Sequence, residues 1–211
     1  MRIIFSIFAT ILLSFSLSYS QDLNINIQDI VNNKGNYTAR IPQSLEAKVI
    51  SILISPENSA SKYYKLAKEL ESLKNQNQKN IYTSLYLASM YSELSRKAKK
   101  RKDRNQYLTL SEQLFFESQA KLEIAGDNLL TFTLFLLIGQ SNIYEKNNKS
   151  LLEVGFNYLD KAEKVLDTGI KPAKDLLILL HEKRALYFNE MKMKSEYEAE
   201  KLIINKLRTK L

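Results

Sequence analysis

The amino-acid sequence predicts an all-α protein made of antiparallel helical hairpins, with about eight helices stacked side by side. Its 211 residues include only five Gly and three Pro, so long stretches contain no helix-breaking residue. From about residue 42 onward, apolar residues recur at three- and four-residue steps, as at Tyr82, Leu85, Tyr86 and Met90. The connections between helices are short, which requires neighbouring helices to run antiparallel.

Local start and stop signals define the predicted helix ends. A Ser or Asp at a helix start accepts a hydrogen bond from a free backbone N–H, and a Gly commonly ends a helix. Such signals occur at Ser55-Pro56, Gly126-Asp127, Ser150, Gly169-Pro172 and Ser195, where Ser150 and Ser195 each precede the Glu of a capping box. The predicted helices span residues 43–54, 57–76, 80–101, 104–125, 128–147, 150–168, 172–191 and 194–210.

Residues 1–20 are typical of a secretory signal peptide. Arg2 precedes an apolar run over residues 3–17, and the small-x-small pattern Ser18-Tyr19-Ser20 predicts cleavage after Ser20. The run is short for a bilayer span, which needs roughly 20 residues, but retention of the segment as a membrane anchor stays open. Later in the chain, the apolar stretch over residues 129–138 is short and predicts a buried core helix.

The absence of cysteine narrows the class of protein. Without cysteine there are no disulfides, no thiolate metal sites, no Cys nucleophile and no lipid attachment of the bacterial lipoprotein kind. Together with the signal peptide, this composition indicates a protein of the bacterial periplasm or cell envelope. A surface-exposed or secreted protein is the alternative.

The segment over residues 21–42 differs from the rest of the chain. Alternating apolar and polar residues over 23–27 resemble a strand, but the Asn-rich residues 32–36 follow and no partner strand is evident. We therefore predict an extended or mobile N-terminal segment, followed by a helical-repeat domain over residues 43–211.

A weak internal repeat supports stacked hairpins. Similar four-residue segments begin at Ala67, Ala120, Ala162 and Ala199, and each lies on the second helix of a predicted hairpin. A small Ala allows the paired helix to approach closely. The alternative interpretation is that Ala beside Lys and Glu is simply common in helices.

The hairpins resemble tetratricopeptide repeats, in which a small residue, a large apolar residue and an Ala follow at steps of four and three. Ala60, Tyr64 and Ala67 have this spacing, and so do Gly155, Leu159 and Ala162. The signature of the family's first helix is missing, and most of the spacings exceed the family's period. The resemblance implies a superhelical stack over residues 43–211 whose concave face binds a protein or peptide, as a scaffold rather than an enzyme.

Catalytic and metal-binding motifs are not evident. His181 is the single histidine, on a strongly apolar helix without a second His at zinc-motif spacing, so we predict a structural role and no metal site. The sequence contains no nucleophile elbow and no Gly-rich phosphate loop, and its carboxylates alternate with Lys as on a solvated helix face. We therefore predict no catalytic residues and no cofactor.

Aromatic residues line successive predicted helices, and two interpretations stay open. The residues are Tyr63, Tyr64, Tyr82, Tyr86, Tyr91, Phe115, Phe116, Phe132 and Phe135. They are expected to fill the space between stacked hairpins. The other interpretation is that some of the Tyr side chains line a binding groove, where an apolar ring with a polar tip is useful.

A cluster of basic residues stands out at the junction of the third and fourth predicted helices. It comprises Arg96, Lys97, Lys99, Lys100, Arg101, Lys102 and Arg104, with Asp103 as its one anion, so the run carries +6 of the chain's net +8. Cations at a helix C-terminus complement the helix dipole, but one or two suffice for that. A nucleic-acid patch has the same composition, but the predicted export argues against it. An anionic lipid, an acidic wall polymer or an acidic protein are the remaining partners.

The expected function follows from these observations together. The leading interpretation is an exported, non-enzymatic adaptor that binds another envelope protein through its hairpins and an anionic surface through the basic cluster. A small cell-wall hydrolase is the alternative from another class, and a secreted helical protein that contacts a host is a third.

Overall fold

The structure is a computed structural model that describes residues 26–55, 59–143 and 148–209. All regular structure in these ranges is helical, which confirms the predicted all-α class. The ten α-helices described there are α1 Ile27–Asn32, α2 Lys34–Thr38, α3 Gln43–Ile54, α4 Ala60–Gln76, α5 Ile81–Lys97, α6 Arg101–Ala125, α7 Asn128–Asn142, α8 Lys149–Val165, α9 Lys174–Glu190 and α10 Lys194–Thr209. A 3₁₀ turn, Leu166–Thr168, extends α8.

Consecutive long helices pack as antiparallel neighbours. The pairs α4–α5, α5–α6, α7–α8 and α9–α10 are in extensive contact. The direction is evident in the α4–α5 pair, where Lys74 near the end of α4 donates to Ser84 near the start of α5, and Tyr91 near the end of α5 donates to Glu71 further back on α4. The predicted hairpin packing is therefore present.

Helix α5 is the centre of the core. Every residue from Ile81 to Ser95 is buried, because α2, α4, α6 and α7 all pack against this helix. Helix α3 adds a long-range contact, since it packs against α9 and joins parts of the chain 130 residues apart through the Lys183–Leu53 hydrogen bond. The structure therefore combines hairpin packing between neighbours with a contact that ties an early helix to a late one.

Most helix boundaries agree with the prediction, and the exceptions have local causes. Helix α3 spans the predicted residues, Gly126 ends α6 with φ +61°, and the Asp127 side chain accepts from Leu130 N as the predicted cap. The prediction of capping boxes that begin at Ser150 and Ser195 is wrong. Helix α8 begins at Lys149 because Asn148 caps it by accepting from Leu151 N, and Ser195 already lies inside α10.

Predicted boundaries also shift at two connections, α3–α4 and α5–α6. Helix α4 begins at Ala60 after Ser59, rather than after Ser55, and Pro56 lies outside the described residues. Helix α5 ends at Lys97, because the backbone becomes extended at Ala98, and α6 begins already at Arg101. The connection between α5 and α6 is therefore only three residues long.

The predicted extended segment over residues 21–42 is wrong for its described part. Asn26 caps α1 by accepting from Asp29 N, and Ile30, Tyr37 and Ile41 are buried against the helical core. Lys79 pairs with Asp29 at 2.8 Å and fastens this region to the α4–α5 connection. Residues 27, 30 and 31 have helical spacing, which the strand-like alternation before them obscured. The predicted signal peptide, residues 1–20, lies outside the described residues.

Hairpin α7–α8 shows why small residues matter in this fold. A Cβ on Gly139 would come 2.6 Å from Leu159 Cδ2, and a Cβ on Gly155 would come 2.8 Å from Ile143 Cγ1. Each added Cβ would also come 3.0 Å from the other glycine's carbonyl oxygen. The two helices therefore pack closely at this point.

The repeat positions are not equivalent in the structure. Ala67 and Ala162 are buried, Ala120 is half-buried and Ala199 is exposed. Among the residues with tetratricopeptide spacing, Gly155, Leu159 and Ala162 form one buried face, whereas Ala60 and Tyr64 are exposed. Within the described residues, no helix is both long and apolar enough to cross a membrane.

Candidate site for an anionic partner

Six of the seven predicted basic residues lie together on the surface. All six are exposed at the connection between α5 and α6. We call this group the basic turn, and it comprises Lys97, Lys99, Lys100, Arg101, Lys102 and Arg104. In the described part of the chain, no carboxylate forms an ion pair with any of the six. Asp103 is the one acidic residue among them. The basic turn is therefore a compact, unneutralised patch.

The helix dipole explains few of these cations. Lys97 lies in the last turn of α5, where a positive charge is favourable. Arg101, Lys102 and Arg104 lie in the first turn of α6, which is the positive end of that helix dipole. The α6 N-cap residue, Lys100, also makes no side-chain capping hydrogen bond. Local helix stability therefore disfavours most of the cluster, which favours its interpretation as a binding surface.

Arg96, the seventh predicted contact residue, is not part of this surface. Its guanidinium forms an ion pair with Glu93 one turn earlier and donates from Nη1 to the Ser141 carbonyl oxygen at 2.8 Å. The guanidinium thus connects the end of α5 to the end of α7 and is mostly buried. Arg96 thus differs from the other six predicted contact residues, because its guanidinium is bound inside the structure by Glu93 on α5 and by Ser141 on α7.

Arg96 belongs instead to an interior charged cluster, which we define as Glu93, Arg96, Gln140 and Lys183. Gln140 Nε2 donates to Glu93 Oε1 at 2.7 Å, so this buried carboxylate is bound from two helices. Lys183 donates to the Leu53 carbonyl oxygen at 3.0 Å. These contacts join α5 to α7 and α3 to α9 through polar groups inside the core.

Burial has a strong effect on Lys183. The pKa of the ammonium falls from 10.5 to about 7, chiefly because of burial and with a smaller contribution from the nearby Arg96, while Glu93 and Glu182 oppose the shift. A lysine near neutrality is able to exchange protons at physiological pH. The ammonium is bound to a main-chain carbonyl at the end of α3, so its evident role is to hold α9 against α3.

His181 has the structural surroundings expected from its apolar helix. It is buried on α9, with Nδ1 lying 2.7 Å from Glu200 Oε2 on α10. Arg184 Nε donates to the other oxygen of the same carboxylate at 2.7 Å. Burial alone would raise the pKa of Glu200, but the hydrogen bonds from His181 and Arg184 outweigh it and lower the pKa. Within the described ranges, no group of three or more His, Cys, Asp or Glu side chains is placed to hold a metal ion.

A cleft of about 280 Å³ opens beside the basic turn. Its apolar lining comes from Tyr64 on α4, Leu94 on α5 and Tyr107 on α6, and we call it the tyrosine cleft. Lys97 and Asp103 also line it, so the cleft and the basic turn are continuous. Most of the predicted aromatic side chains are core residues, such as Tyr63, Tyr86 and Phe132, but Tyr64 is half-exposed and faces the cleft.

The sequence interpretation missed Tyr107. It was not among the aromatic candidates, although it lies four residues after Asp103 and therefore on the same face of α6. Its ring stacks on Tyr91 with the centroids 6.0 Å apart. An aromatic one turn beyond a basic run is the signal that would have identified it.

Comparison of the chain with protein-family models, with curated proteins and with solved structures finds no match. The function is therefore argued from the chain's own residues.

Proposed function

We propose that this protein is an exported adaptor of the bacterial cell envelope that binds a protein partner and uses the basic turn as an anionic contact. The observation that carries the proposal is the basic turn itself. Six exposed cations without paired carboxylates lie within eight residues, and the α6 dipole disfavours the three that lie in the first turn of that helix. An anionic partner would remove this unfavourable repulsion, so binding is the role that such a surface supports best.

The fold supports the same proposal. Long antiparallel helices form a rigid frame around α5, and α5 itself is buried as far as Ser95, two residues before the basic turn begins. Binding groups on a rigid frame lose little conformational freedom when a partner docks. The resemblance to tetratricopeptide repeats implies a scaffold as well. Cleavage after Ser20 would place this scaffold in the periplasm or envelope.

The proposal is tested by cross-linking in intact cells. Tagged wild type is compared with a variant in which Lys99, Lys100, Arg101 and Lys102 are all changed to Gln. The matched control changes four exposed or half-exposed lysines to Gln, namely Lys171, Lys194, Lys201 and Lys206. It removes the same amount of positive charge as the basic-turn variant, but from a part of the sequence outside the basic turn. Cross-linked proteins are purified and identified by mass spectrometry.

We expect one envelope protein to be recovered with wild type and with the control, and to be lost with the basic-turn variant. Equal recovery with all three proteins would show that the adaptor binds through another surface and would overturn the role of the basic turn. Recovery of no specific protein with wild type would overturn the adaptor itself.

A further inference from the structure

The tyrosine cleft and the basic turn together describe the chemistry of a partner. Lys97 belongs to both features, and Asp103, which lies between two cations of the basic turn in the sequence, also lines the cleft. A group seated between Tyr64 and Tyr107 therefore lies next to the cations of the turn. Small-molecule pockets generally enclose about 300–1,000 Å³. At about 280 Å³ the cleft suits one or two side chains of a larger partner better than a whole cofactor.

The aromatic walls of the cleft are held by a continuous set of contacts. Tyr107 stacks on Tyr91, whose hydroxyl donates to Glu71 at 2.5 Å. Lys68 pairs with Glu71 at 2.6 Å and lies 5.6 Å from the Tyr64 ring centre. The two tyrosine walls are thus linked through Glu71 and Lys68. A cleft held in this way needs little ordering when a side chain enters it.

The charges around the cleft favour an acidic occupant. The basic turn lies on one side, and the first two turns of α4 carry Lys62 and Lys65, whereas Lys68 is neutralised by its ion pair with Glu71. Electrostatic complementarity selects partners of opposite charge and accelerates their association. An acidic segment is therefore attracted to the cleft, and a basic one is repelled.

Asp103 distinguishes a peptide from a lipid surface. Asp103 lines the cleft, and its carboxylate can accept a hydrogen bond from a peptide N–H, which a phosphate group cannot donate. A flat anionic membrane would meet the exposed cations without filling a concave aromatic cleft. The combination of one acidic wall residue, two tyrosines and surrounding cations fits a peptide.

We infer that the tyrosine cleft binds an acidic peptide segment of the partner protein, seating one aromatic or large aliphatic side chain between Tyr64 and Tyr107 while neighbouring carboxylates contact the basic turn. The inference rests on the proposed adaptor function and specifies its partner. The cleft supplies selectivity for the seated side chain, and the basic turn supplies the attraction for its acidic neighbours.

The test uses the purified protein and three fluorescently labelled synthetic peptides of equal length. One is Glu-rich with a central Phe, the second replaces that Phe by Ala, and the third keeps Phe but replaces every Glu by Gln. We expect the acidic Phe peptide to bind at least tenfold more tightly than either of the others, as measured by fluorescence anisotropy. Vesicles of phosphatidylglycerol and phosphatidylcholine are measured in parallel.

Two tyrosine variants assign the effect to the cleft. Tyr64→Ala is expected to abolish the difference in affinity between the acidic Phe and acidic Ala peptides. Because the Tyr64 side chain is half-exposed, we expect this variant to fold. Tyr158→Ala, on α8 and partly exposed, is the matched control and is expected to keep the difference. Circular dichroism of both variants verifies that they are folded.

The remaining outcomes overturn the inference. Equal binding of the acidic Phe and acidic Ala peptides by wild type would show a charge-only surface. Tighter binding to anionic vesicles than to any peptide would replace the peptide with a lipid. Loss of the cross-linked partner with the basic-turn variant but not with Tyr64→Ala would keep the adaptor and refute the cleft, so the two proposals fail separately.

Discussion

Two groups of charges meet at the C-terminal end of α5 and are arranged in opposite ways. In the interior charged cluster, Glu93 is bound by Arg96 and Gln140, and Lys183 is bound by a main-chain oxygen. In the basic turn, which begins with the next residue, Lys97, six cations are exposed around a single acidic residue. Arg96 and Lys97 are adjacent in one basic run, but Arg96 belongs to the interior charged cluster and Lys97 to the exposed basic turn.

The difference reflects what burial demands of a charge. A buried ion must be paired and hydrogen-bonded, because the loss of one partner leaves the other uncompensated in a medium of low dielectric constant. Exposed cations are solvated and screened, so their mutual repulsion is modest. The interior cluster is therefore expected to determine stability, and the basic turn is available for binding. Each prediction below separates these two roles.

The largest effect is expected from Glu93→Leu. This change removes the buried carboxylate that Arg96 and Gln140 both bind, and with it one of the carboxylates that favour the charged form of Lys183. Breaking a buried pair by removing one partner typically costs about 3–5 kcal/mol. We expect a loss of that size in the free energy of unfolding, measured by urea titration with circular dichroism at pH 6.

The matched control is Glu153→Leu, since Glu153 is exposed on α8 and exposed substitutions generally change stability by about 0.5 kcal/mol or less. Glu93→Gln should fall between the two, because the amide oxygen still accepts a hydrogen bond but carries no charge. A loss below about 1 kcal/mol for Glu93→Leu would contradict the view that the interior cluster determines stability.

The contrast also shows what the sequence can predict. Helix class and most helix ends follow from local signals, such as the αL glycine and capping aspartate at Gly126 and Asp127. These signals act within a few residues, so they can be identified from a single sequence. Where two caps compete, as Asn148 and Ser150 do, the choice depends on the surrounding structure and the prediction failed.

The candidate site was predictable only in part, for the same physical reason. Composition identified the basic run, and its exposure at a turn followed from the predicted helix boundaries. The inward turn of Arg96 depends on Ser141, which lies 45 residues away, and no local pattern encodes that contact. The tyrosine cleft needs side chains from α4, α5 and α6 at once. Long-range contacts of this kind become visible only in the structure.

A smaller, pH-dependent effect is expected from Lys183. Its folded pKa is about 7 and its ordinary value is 10.5, so both folded and unfolded chains hold the proton below pH 7. Between these values the unfolded chain binds more protons, and stability therefore rises with pH. The gain is at most about 1.4 kcal/mol per pH unit. Urea titrations of wild type from pH 7 to 9 should show this rise.

Lys183→Met provides the comparison, because it keeps an unbranched side chain and removes the titrating group. The difference in unfolding free energy between wild type and this variant should shift in favour of wild type as the pH rises from 7 to 9. The charged groups that face Lys183 are Glu93, Arg96 and Glu182. A difference that does not change with pH would mean that Lys183 stays protonated in the folded protein, and would contradict its lowered pKa.

The smallest effect is expected where the charge density is highest. Changing Lys99, Lys100, Arg101 and Lys102 to Gln should alter the free energy of unfolding by about 1 kcal/mol or less, and in the stabilising direction. The sign follows because these cations repel one another and because Arg101 and Lys102 face the positive end of the α6 dipole. The gain should be greatest near 0.01 M salt, where the Debye length is about 30 Å, and should vanish near 1 M, where it is about 3 Å. Urea titrations at both salt concentrations measure this gain in stability.

A loss of stability in this variant would mean that the basic turn has a structural role like that of the interior charged cluster. The contrast between a stabilising interior and a binding surface would then fail.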